Sequence, residues 1–286
     1  MNMRPNCTYV GKKLRLSRFF SRESGKTVIV PIDDSLINGP FQGLNDLEKK
    51  ILQIVKEPPN AIMGFIGAFC NFSGLISAVP IILNLTASTT QGQHTKKMLV
   101  STVNQAIQLG ADAVAVHVNI SSKYEPDMLH NLGIVVRECE NLGMPVLAIM
   151  YLRTEGNEGD DNYLELKKNE RNKYAELVAH ASRIGVEMGA DIIKTQYTGD
   201  PDTFKNVVEA CKPIPVVAAG GPLIDIKLVF QMAYDIVKAG GAGVSFGRNV
   251  FNSPETHLCI RGLKSIVHEN LVPERAVEIM KVMDVK

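Results

Sequence analysis

Short apolar runs alternate along the chain with longer segments in which apolar positions recur at the spacing of a helix. Runs of this length, bounded by glycine, proline and polar residues, are typical of buried parallel strands. We predict strands at residues 27–32, 61–65, 81–85, 113–118, 146–150, 192–193, 216–219 and 243–246. Between the fifth and sixth runs, Tyr174, Ala181 and Met188 share one helix face. The repeated strand–helix units predict an α/β fold, a closed TIM (β/α)8 barrel, with an open doubly wound sheet as the alternative.

Two segments have features of membrane elements but fit the barrel better. Residues 12–20 are basic and amphipathic and lack the apolar core of a signal peptide, so we predict a helix that plugs the closed end of the barrel. Between Pro58 and Thr95 there is no charged residue, but Pro80 and nearby polar residues interrupt the run. We interpret this run as a strand, a short helix and a strand. Residues 1–286 then form a single barrel domain, with 1–24 as an N-terminal helical extension.

Composition narrows the functional classes. The chain has 286 residues, of which 45% are hydrophobic and 21% charged, and this suffices for one large core. Its net charge of +1 gives no attraction to nucleic acid or to an acidic membrane. The five cysteines never form a Cys-x-x-Cys pair and the six histidines are dispersed, which argues against disulfides and a zinc site. We expect a cytoplasmic protein that needs neither a metal nor another cofactor and keeps its activity in chelators.

Polar residues and glycines follow most of the predicted strands. In a barrel, the carboxyl ends of all strands meet at one rim, where barrel enzymes have their active sites. We therefore expect these residues to converge, and this expectation favours the barrel over the open sheet. They are Asp33, Thr86, Ser88, His117, Asn119, Tyr151, Arg153, Lys194, Gly220, Gly221, Gly247 and Arg248.

Lys194 ends the sixth predicted strand, where a lone lysine usually extends into solvent. The alternative is a Schiff-base lysine. Such a lysine attacks a ketone only as a neutral amine, so burial or a neighbouring cation must lower its pKa, by up to about 3–5 units. Beside it, the Tyr151 phenol can transfer the proton that carbon–carbon cleavage requires, and Asp33 can take a proton from a hydroxyl group. The other interpretations are an interfacial tyrosine and a turn-forming aspartate.

The last two predicted strands are each followed by a glycine turn. Gly220–Gly221 and Gly247–Arg248 lie on neighbouring strands, where glycine lets backbone N–H groups approach a phosphate and arginine binds its oxygens bidentately. We predict a phosphate site there, although a single Gly-Gly pair is usually only a turn. His117 and Arg153 are further candidates for substrate binding. A histidine on an apolar strand is more often structural, and Arg153 opens a glycine-rich acidic loop, 153–162, that is either a mobile lid or a solvated surface loop.

Taken together, these residues resemble a known family, the archaeal-type class I aldolases, over nearly the whole chain. The resemblance rests on segments 24–33, 85–89, 110–120, 143–145, 150–151, 193–200, 219–221 and 247–251. It is strongest for the branch that makes 2-amino-3,7-dideoxy-D-threo-hept-6-ulosonate, and another branch cleaves fructose bisphosphate. The resemblance implies that Lys194 forms a Schiff base and that Tyr151 and Asp33 move protons. It also implies that a sugar phosphate is held by Gly220, Gly221, Gly247 and Arg248.

Two segments depart from the family pattern. The first strand ends in Asp33-Asp34-Ser35 where the family usually has Asp-His-Gly, and residues 67–73 are uncharged where related chains tend to carry lysine, histidine or arginine. The resemblance implies a transaldolase that takes a phosphorylated sugar and a small aldehyde such as aspartate semialdehyde. The alternatives are fructose-bisphosphate cleavage, a thiolase-like transfer on a phosphorylated dione, and a barrel that binds sugar phosphate without catalysis.

The segment 69–79 bears on assembly, because its polar side chains are only Asn71 and two serines. If its apolar side chains were exposed, they would form a patch larger than monomers usually tolerate. These side chains are Phe69, Phe72, Leu75, Ile76 and Val79. The candidates to cover them are a lid, the N-terminal segment, the body of a substrate or a neighbouring subunit. We expect a neighbouring subunit in a closed homo-oligomer larger than a dimer, and the family resemblance implies a decamer.

Overall fold

The computed structural model describes residues 7–40, 43–156 and 159–283. Its strands are β1 (Thr27–Pro31), β2 (Ala61–Gly64), β3 (Ile81–Asn84), β4 (Thr86–Ala87), β5 (Met98–Leu99), β6 (Ala113–Ile120), β7 (Val146–Leu152), β8 (Thr154–Gly156), β9 (Gly159–Asp161), β10 (Ile192–Gln196), β11 (Val216–Ala219) and β12 (Gly243–Ser245). Its helices are α1 (Cys7–Phe19), α2 (Asp34–Asn38), α3 (Leu47–Val55), α4 (Ile66–Asn71), α5 (Ser73–Ile76), α6 (Val103–Leu109), α7 (Glu125–Leu142), α8 (Leu164–Asn169), α9 (Arg171–Glu187), α10 (Pro201–Cys211), α11 (Ile226–Lys238), α12 (Arg248–Phe251), α13 (Thr256–Glu269) and α14 (Pro273–Met283).

Parallel strands close into a barrel in the order β1-β12-β11-β10-β7-β6-β3-β2, which confirms the TIM barrel and excludes the open sheet. The barrel closes where β1 pairs with β12, with Thr27 in register with Gly243. Gly243 has a φ of 137°, and a Cβ there would lie 1.9 Å from the Thr27 carbonyl oxygen. Only glycine fits this seam, because any side chain would push the first and last barrel strands apart.

Residues along each barrel strand alternate between the interior and the surrounding helices. The interior cluster is formed by Phe19, Ile29, Ala61, Met63, Ile82, Ala113, Ala115, Leu147, Ile149, Ile192 and Val217. Their strand neighbours, such as Val28, Ile62 and Ile193, belong to the larger core shared with the helices. Because the side-chain period of a strand is two, a residue two positions beyond an interior residue also faces the interior. This rule shows which site residues on the strands point into the barrel.

Helix α1 closes the end of the barrel at which the strands begin, as predicted. Its Phe19 is fully buried among the interior residues. Lys12 contacts Glu140 and lies 3.0 Å from Asp191, while Arg18 lies 2.7 Å from Asp112. Asp112 and Asp191 come just before β6 and β10, so these ion pairs attach α1 to the floor of the barrel.

Three barrel strands are longer than predicted, and this changes where the site residues lie. β6, β7 and β10 end at Ile120, Leu152 and Gln196. Asn119, Tyr151 and Lys194, which lie beyond the predicted strand ends, therefore belong to strands and not to the loops that follow them. The apolar run ends before the strand does, because the inward positions near the rim carry polar side chains.

The segment between β2 and β3 has the predicted order of strand, short helices and strand, but the patch on it is not exposed. Phe69, Ile76 and Val79 are buried, and Phe72 and Leu75 pack partly buried against the same core. The interpretation that another subunit must cover these side chains is wrong, because the protomer buries them itself. The homo-oligomer stays a prediction that rests on the resemblance. Within the described ranges, none of the helices is both long and apolar enough to cross a membrane.

Candidate active site

A pocket of about 300 Å³ opens at the carboxyl ends of the barrel strands. The structure places every predicted site residue in its wall: Asp33, His117, Tyr151, Arg153, Lys194, Gly220, Gly221, Gly247 and Arg248. The expected convergence on one rim is therefore confirmed for this set. Thr86, Ser88 and Asn119 lie behind the wall and hold it together, since Asn119 donates to the Thr95 carbonyl at 2.8 Å and Thr86 accepts from the His117 amide.

Lys194 lies on the inner face of β10. Ile192, two positions earlier, belongs to the interior cluster, and Lys194 is in register with the interior residues Ile149 on β7 and Val217 on β11. Only 6% of the lysine surface is exposed. The interpretation as a solvent-extended surface lysine is therefore wrong, and the amine is presented to the pocket from a rigid strand.

Asp33 follows β1 and faces the same pocket. Its Oδ2 accepts a hydrogen bond from Asn84 Nδ2 at 3.1 Å. Burial raises the pKa of Asp33 above its usual value, while Lys194 and the Asn84 hydrogen bond oppose the rise. A carboxyl group whose pKa is raised by burial and lowered by its partners is suited to accept and return a proton.

Tyr151 lies on β7 between two neighbours that fix its ring. The His117 ring packs edge-on against it, with 4.8 Å between ring centroids, and the Arg153 guanidinium lies 5.5 Å above the ring. His117 is 8% exposed, and its Nε2 has no hydrogen-bond partner among the described residues. Burial, with the charges of Lys97 and Arg153, lowers the pKa of His117 well below its usual value. The imidazole is therefore neutral, and one nitrogen is left for a ligand.

The two glycine turns lie side by side on β11 and β12. Gly221 has a φ of +67°, and a Cβ at Gly220 would lie 2.9 Å from the Phe246 ring, so both positions require glycine. Asn249 holds the first turn: its Nδ2 donates to the carbonyls of Gly220 at 2.9 Å and Pro222 at 3.0 Å. Arg248 completes this side of the pocket. This role of Asn249 was not predicted from the sequence.

Contacts with neighbouring side chains hold the Arg153 guanidinium group in place. Its Nε donates to Asn162 Oδ1 at 2.8 Å, its Nη1 lies 3.0 Å from His94 Nε2, and Asp160 lies 3.6 Å away. The strands β8 and β9 pair antiparallel behind it and include part of the predicted loop. Asn157 and Glu158 of that loop lie outside the described residues. Motion of the loop as a lid stays a prediction.

The loop after β3 contributes two side chains to the pocket that were not predicted from the sequence. The strands β4 and β5 pair antiparallel, so the loop folds back and places His94 and Lys97 in the pocket wall. Lys97 is 2% exposed, and its Nζ donates to Ser88 Oγ at 2.6 Å. The only sequence signal was a pair of adjacent lysines at the end of an uncharged stretch, which does not show which lysine points inward.

The two departures from the family pattern have different structural consequences. Asp34 lines the pocket beside Asp33, so the altered end of the first strand contributes to the site. Residues 67–73 contribute no side chain to the pocket wall. In this segment, Phe69 of α4 packs in the core shared with the helices. Among the described residues, no group of three or more His, Cys, Asp or Glu side chains is placed to hold a metal ion.

The chain is similar in sequence to two kinds of synthase. The chain is 33% identical over 271 residues to 2-amino-3,7-dideoxy-D-threo-hept-6-ulosonate synthase of Halobacterium salinarum, covering 94% of this chain and 96% of that one. It is 31% identical to 2-amino-4,5-dihydroxy-6-oxo-7-(phosphonooxy)heptanoate synthase of Streptomyces griseus, covering 94% of each.

Its fold is similar to a crystal structure of an archaeal fructose 1,6-bisphosphate aldolase, with a TM-score of 0.78, 25% identity, and 90% of this chain and 99% of that chain covered. Another structure, of an archaeal fructose-1,6-bisphosphate aldolase, has the same score, identity and coverage, and holds the catalytic lysine covalently bound to a carbinolamine intermediate. The sequence profile of DeoC/LacD family aldolases matches residues 27–253, which contain the whole barrel. The chain therefore belongs to the DeoC/LacD family of aldolases and is a lysine-dependent aldolase.

Proposed function

We propose that this aldolase condenses a ketose phosphate with Lys194 and transfers the resulting enamine to a small acceptor aldehyde. The observation that supports this most is the position of the Lys194 amine. It projects from the inner face of β10 into a pocket that also holds Asp33, Tyr151 and two glycine turns. An amine, two proton-transfer groups and a phosphate site within one pocket are what Schiff-base cleavage of a phosphorylated ketose requires.

The phosphate of the donor binds at the turns after β11 and β12. A Cβ at Gly221 would meet nothing within 4 Å, so this glycine leaves the backbone open to a phosphate, while glycine at 220 and 247 lets the turns pack against Phe246 and Phe251. Arg248 supplies the charge that matches phosphate oxygens. β10 is the neighbour of β11 in the barrel, so a phosphate held there places the ketose carbonyl near Lys194. Binding energy from the phosphate then orients the carbonyl for attack.

The chemistry proceeds through an iminium ion on Lys194. The neutral amine adds to the ketone, and the carbinolamine loses water as Tyr151 protonates the departing hydroxyl group. Asp33 then takes the proton of the hydroxyl group that lies β to the iminium carbon. The carbon–carbon bond breaks, an aldehyde leaves, and the electron pair of the bond forms the enamine. When the enamine attacks an acceptor aldehyde, Asp33 returns its proton to the new alkoxide.

The acceptor distinguishes two candidate reactions. Similarity to the heptulosonate synthases supports transfer to an aldehyde such as aspartate semialdehyde. Likeness to the archaeal fructose 1,6-bisphosphate aldolases favours the second candidate, in which the enamine is simply protonated and released. Both reactions share the Lys194 iminium ion, so the first experiment tests the common step and the second separates them.

The common step is tested by borohydride reduction. Incubation with fructose 1,6-bisphosphate and borohydride is expected to add the mass of the reduced ligand irreversibly to the peptide that contains Lys194. Lys194→Met is expected to give no adduct. Lys205→Met, which replaces an exposed lysine on α10, serves as the control and is expected to react like the wild type. A wild-type enzyme without an adduct, or an adduct on another lysine, would contradict the proposed mechanism.

The two candidate reactions are separated by adding acceptor. If the enzyme is a transaldolase, release of triose phosphate from the enamine is slow until aspartate semialdehyde is added, and a new ketose phosphate then forms. If it is a simple aldolase, dihydroxyacetone phosphate accumulates at the same rate with and without the acceptor. Product analysis by mass spectrometry reports both outcomes.

A further inference from the structure

Lys97 is a buried ammonium group without a matching carboxylate. Its Nζ contacts Ser88 Oγ at 2.6 Å and His94 Nδ1 at 3.4 Å, and no described carboxylate lies within 4 Å. A buried charge normally has an ionic partner, because the loss of hydration is otherwise uncompensated. Since Lys97 lines the pocket, a ligand is able to supply the partner that the protein does not.

Arg153 lies on the same side of the pocket as Lys97. His94 is between them, with Nε2 3.0 Å from the arginine and Nδ1 3.4 Å from the lysine. Burial, with the charges of Lys97 and Arg153, lowers the pKa of His94 to about 3, so it is a neutral spacer and adds no charge. Asp160 supplies a carboxylate to this wall, 3.6 Å from Arg153 and 3.5 Å from His94, and it forms no ion pair with Lys97. This wall therefore carries more positive than negative charge.

His117 provides an independent observation at the same wall. It is more than nine-tenths buried, and its Nε2 has no partner among the described residues. His117 lines the same pocket as Lys97 and Arg153. In the tautomer that carries its proton on Nε2, the neutral imidazole donates a hydrogen bond to the ligand atom that the cations attract.

The barrel order fixes where this wall lies relative to the phosphate turns. In the closed ring, β3 is directly across from β11, and β6 is directly across from β12. Lys97 belongs to the loop after β3, and His117 lies on β6. The glycine turns follow β11 and β12, and Lys194 on β10 comes between the two sides. A substrate that spans the mouth of the barrel thus meets positive charge at both ends.

We propose that Lys97, Arg153 and His117 form a second anion subsite, which binds the carboxylate or phosphate group of the acceptor aldehyde. This inference rests on the proposed transaldolase function, because it assigns the acceptor half of the same pocket. It makes charge on the acceptor a determinant of specificity, and Lys97 a residue that selects for this charge. The low pKa of Lys97, about 7 because of burial and Arg153 against the opposing effects of Asp160 and Asp33, agrees with a cation that needs an anionic ligand.

The kinetic test uses pairs of acceptors that differ by one anionic group. Succinate semialdehyde is compared with butanal, and erythrose 4-phosphate with erythrose, each against the ketose phosphate that gives the borohydride adduct. The wild type is expected to prefer the charged member of a pair. In Lys97→Met, the ratio of kcat/KM for charged over uncharged acceptor is expected to fall about tenfold or more, since a charged hydrogen bond is lost. The pair that shows the fall identifies a carboxylate or a phosphate subsite.

Lys96→Met is the matched control, because Lys96 is the adjacent residue but pairs with Asp127 at 3.4 Å and does not line the pocket. Its acceptor ratio is expected to equal that of the wild type. A ratio that Lys97→Met leaves unchanged for both pairs would overturn the proposal. Thermal unfolding of Lys97→Met and Lys97→Gln shows that the variants are folded, and agreement between the two excludes an effect of one side chain's packing.

A binding measurement decides the subsite without any catalysis. Calorimetric titration with inorganic phosphate is expected to show two sites in the wild type and in Lys96→Met. One site is expected to be lost in Lys97→Met and the other in Arg248→Met. A single wild-type site that Lys97→Met does not affect would contradict the second subsite. If the wild type instead shows both sites but gives no borohydride adduct, the proposed reaction fails while the subsite stands.

Discussion

Two buried lysines at opposite ends of the barrel show how the same residue is used differently. Lys12, at the closed end, is 8% exposed and contacts Glu140 and Asp191. Burial acts to lower its pKa, but the two carboxylates raise it above the usual value. Lys97, at the open end, is buried to a similar degree, and burial lowers its pKa to about 7 because no carboxylate pairs with it. At the closed end, the protein itself supplies the carboxylates that pair with the buried lysine. At the open end, we propose that a ligand supplies the anion that pairs with Lys97.

The inward-facing side chains of the barrel strands also differ between the two ends. Near the floor, the inward positions are filled by Ala113 on β6, Leu147 on β7 and Ile192 on β10, which are apolar and carry no functional group. Near the rim, the inward positions on the same strands become His117, Tyr151 and Lys194. Substitutions at the floor are therefore expected to change stability, and substitutions at the rim to change chemistry.

The largest expected effect is at the rim. Asp33→Asn is expected to lower kcat by about 10²–10⁴-fold, because the amide cannot accept the hydroxyl proton. Burial raises the pKa of Asp33 in the folded state, so its ionised form destabilises the fold at neutral pH, and asparagine should not lower the free energy of unfolding. Asp46→Asn, which keeps the cap of α3, is the control for steady-state kinetics and denaturation. A variant with more than about a tenth of the wild-type kcat would remove Asp33 from proton transfer.

The matching substitution at the floor is Phe19→Ala. Removal of a fully buried phenyl ring from the interior cluster is expected to cost about 3–5 kcal/mol in the free energy of unfolding, measured in urea. The kcat of the molecules that remain folded should change little. Leu14→Ala on the same helix is the control, since Leu14 is 58% exposed and its loss should cost far less. A fall in kcat without a fall in stability would show that the two ends are coupled.

Much of the fold was predictable from the sequence because it depends on a local pattern. Apolar runs of strand length alternate with helical segments, and the barrel rule then brings Asp33, Lys194 and Arg248 to one rim. The roles of His94 and Lys97 were not predictable. They reach the pocket through the two-residue pairing of β4 with β5, which is too short to leave a period in the sequence. The burial of Phe69 was missed for a related reason, since α4 and α5 are too short to show which face is covered.

A smaller effect is expected for Arg153→Ala. The guanidinium group lines the pocket, and in the proposed site its charge attracts the anionic group of the substrate, so KM for an anionic substrate should rise several-fold while kcat changes less. Arg183→Ala, which removes an exposed arginine paired with Glu187, is the control. Steady-state kinetics with and without the charged group on the acceptor measure the effect. Unchanged kinetics would place Arg153 outside the binding site.

The smallest effect is on pH dependence. The charged and titratable groups that act on or face Lys97 are His94, His117, Arg153, Asp160 and Asp33. Because the pKa of Lys97 is about 7, its positive charge is present below that pH and is lost above it. KM for succinate semialdehyde is therefore expected to rise several-fold between about pH 6 and pH 8, while KM for butanal stays flat. Lys97→Met should remove the difference, and parallel profiles for both aldehydes in the wild type would contradict this assignment.

Gly243, where β1 pairs with β12, also affects how the protein folds during its synthesis. Since β1 pairs with β12, a nascent chain that has not yet reached Gly243 carries an unpaired β1 edge and a second open edge on the strand made last. Such edges recruit strands of other chains, so the interval before the seam closes is when ribosome-bound chains depend most on chaperones. A side chain at position 243 would delay the pairing of β1 with β12. We expect its effect to be a lower yield of folded protein in the cell.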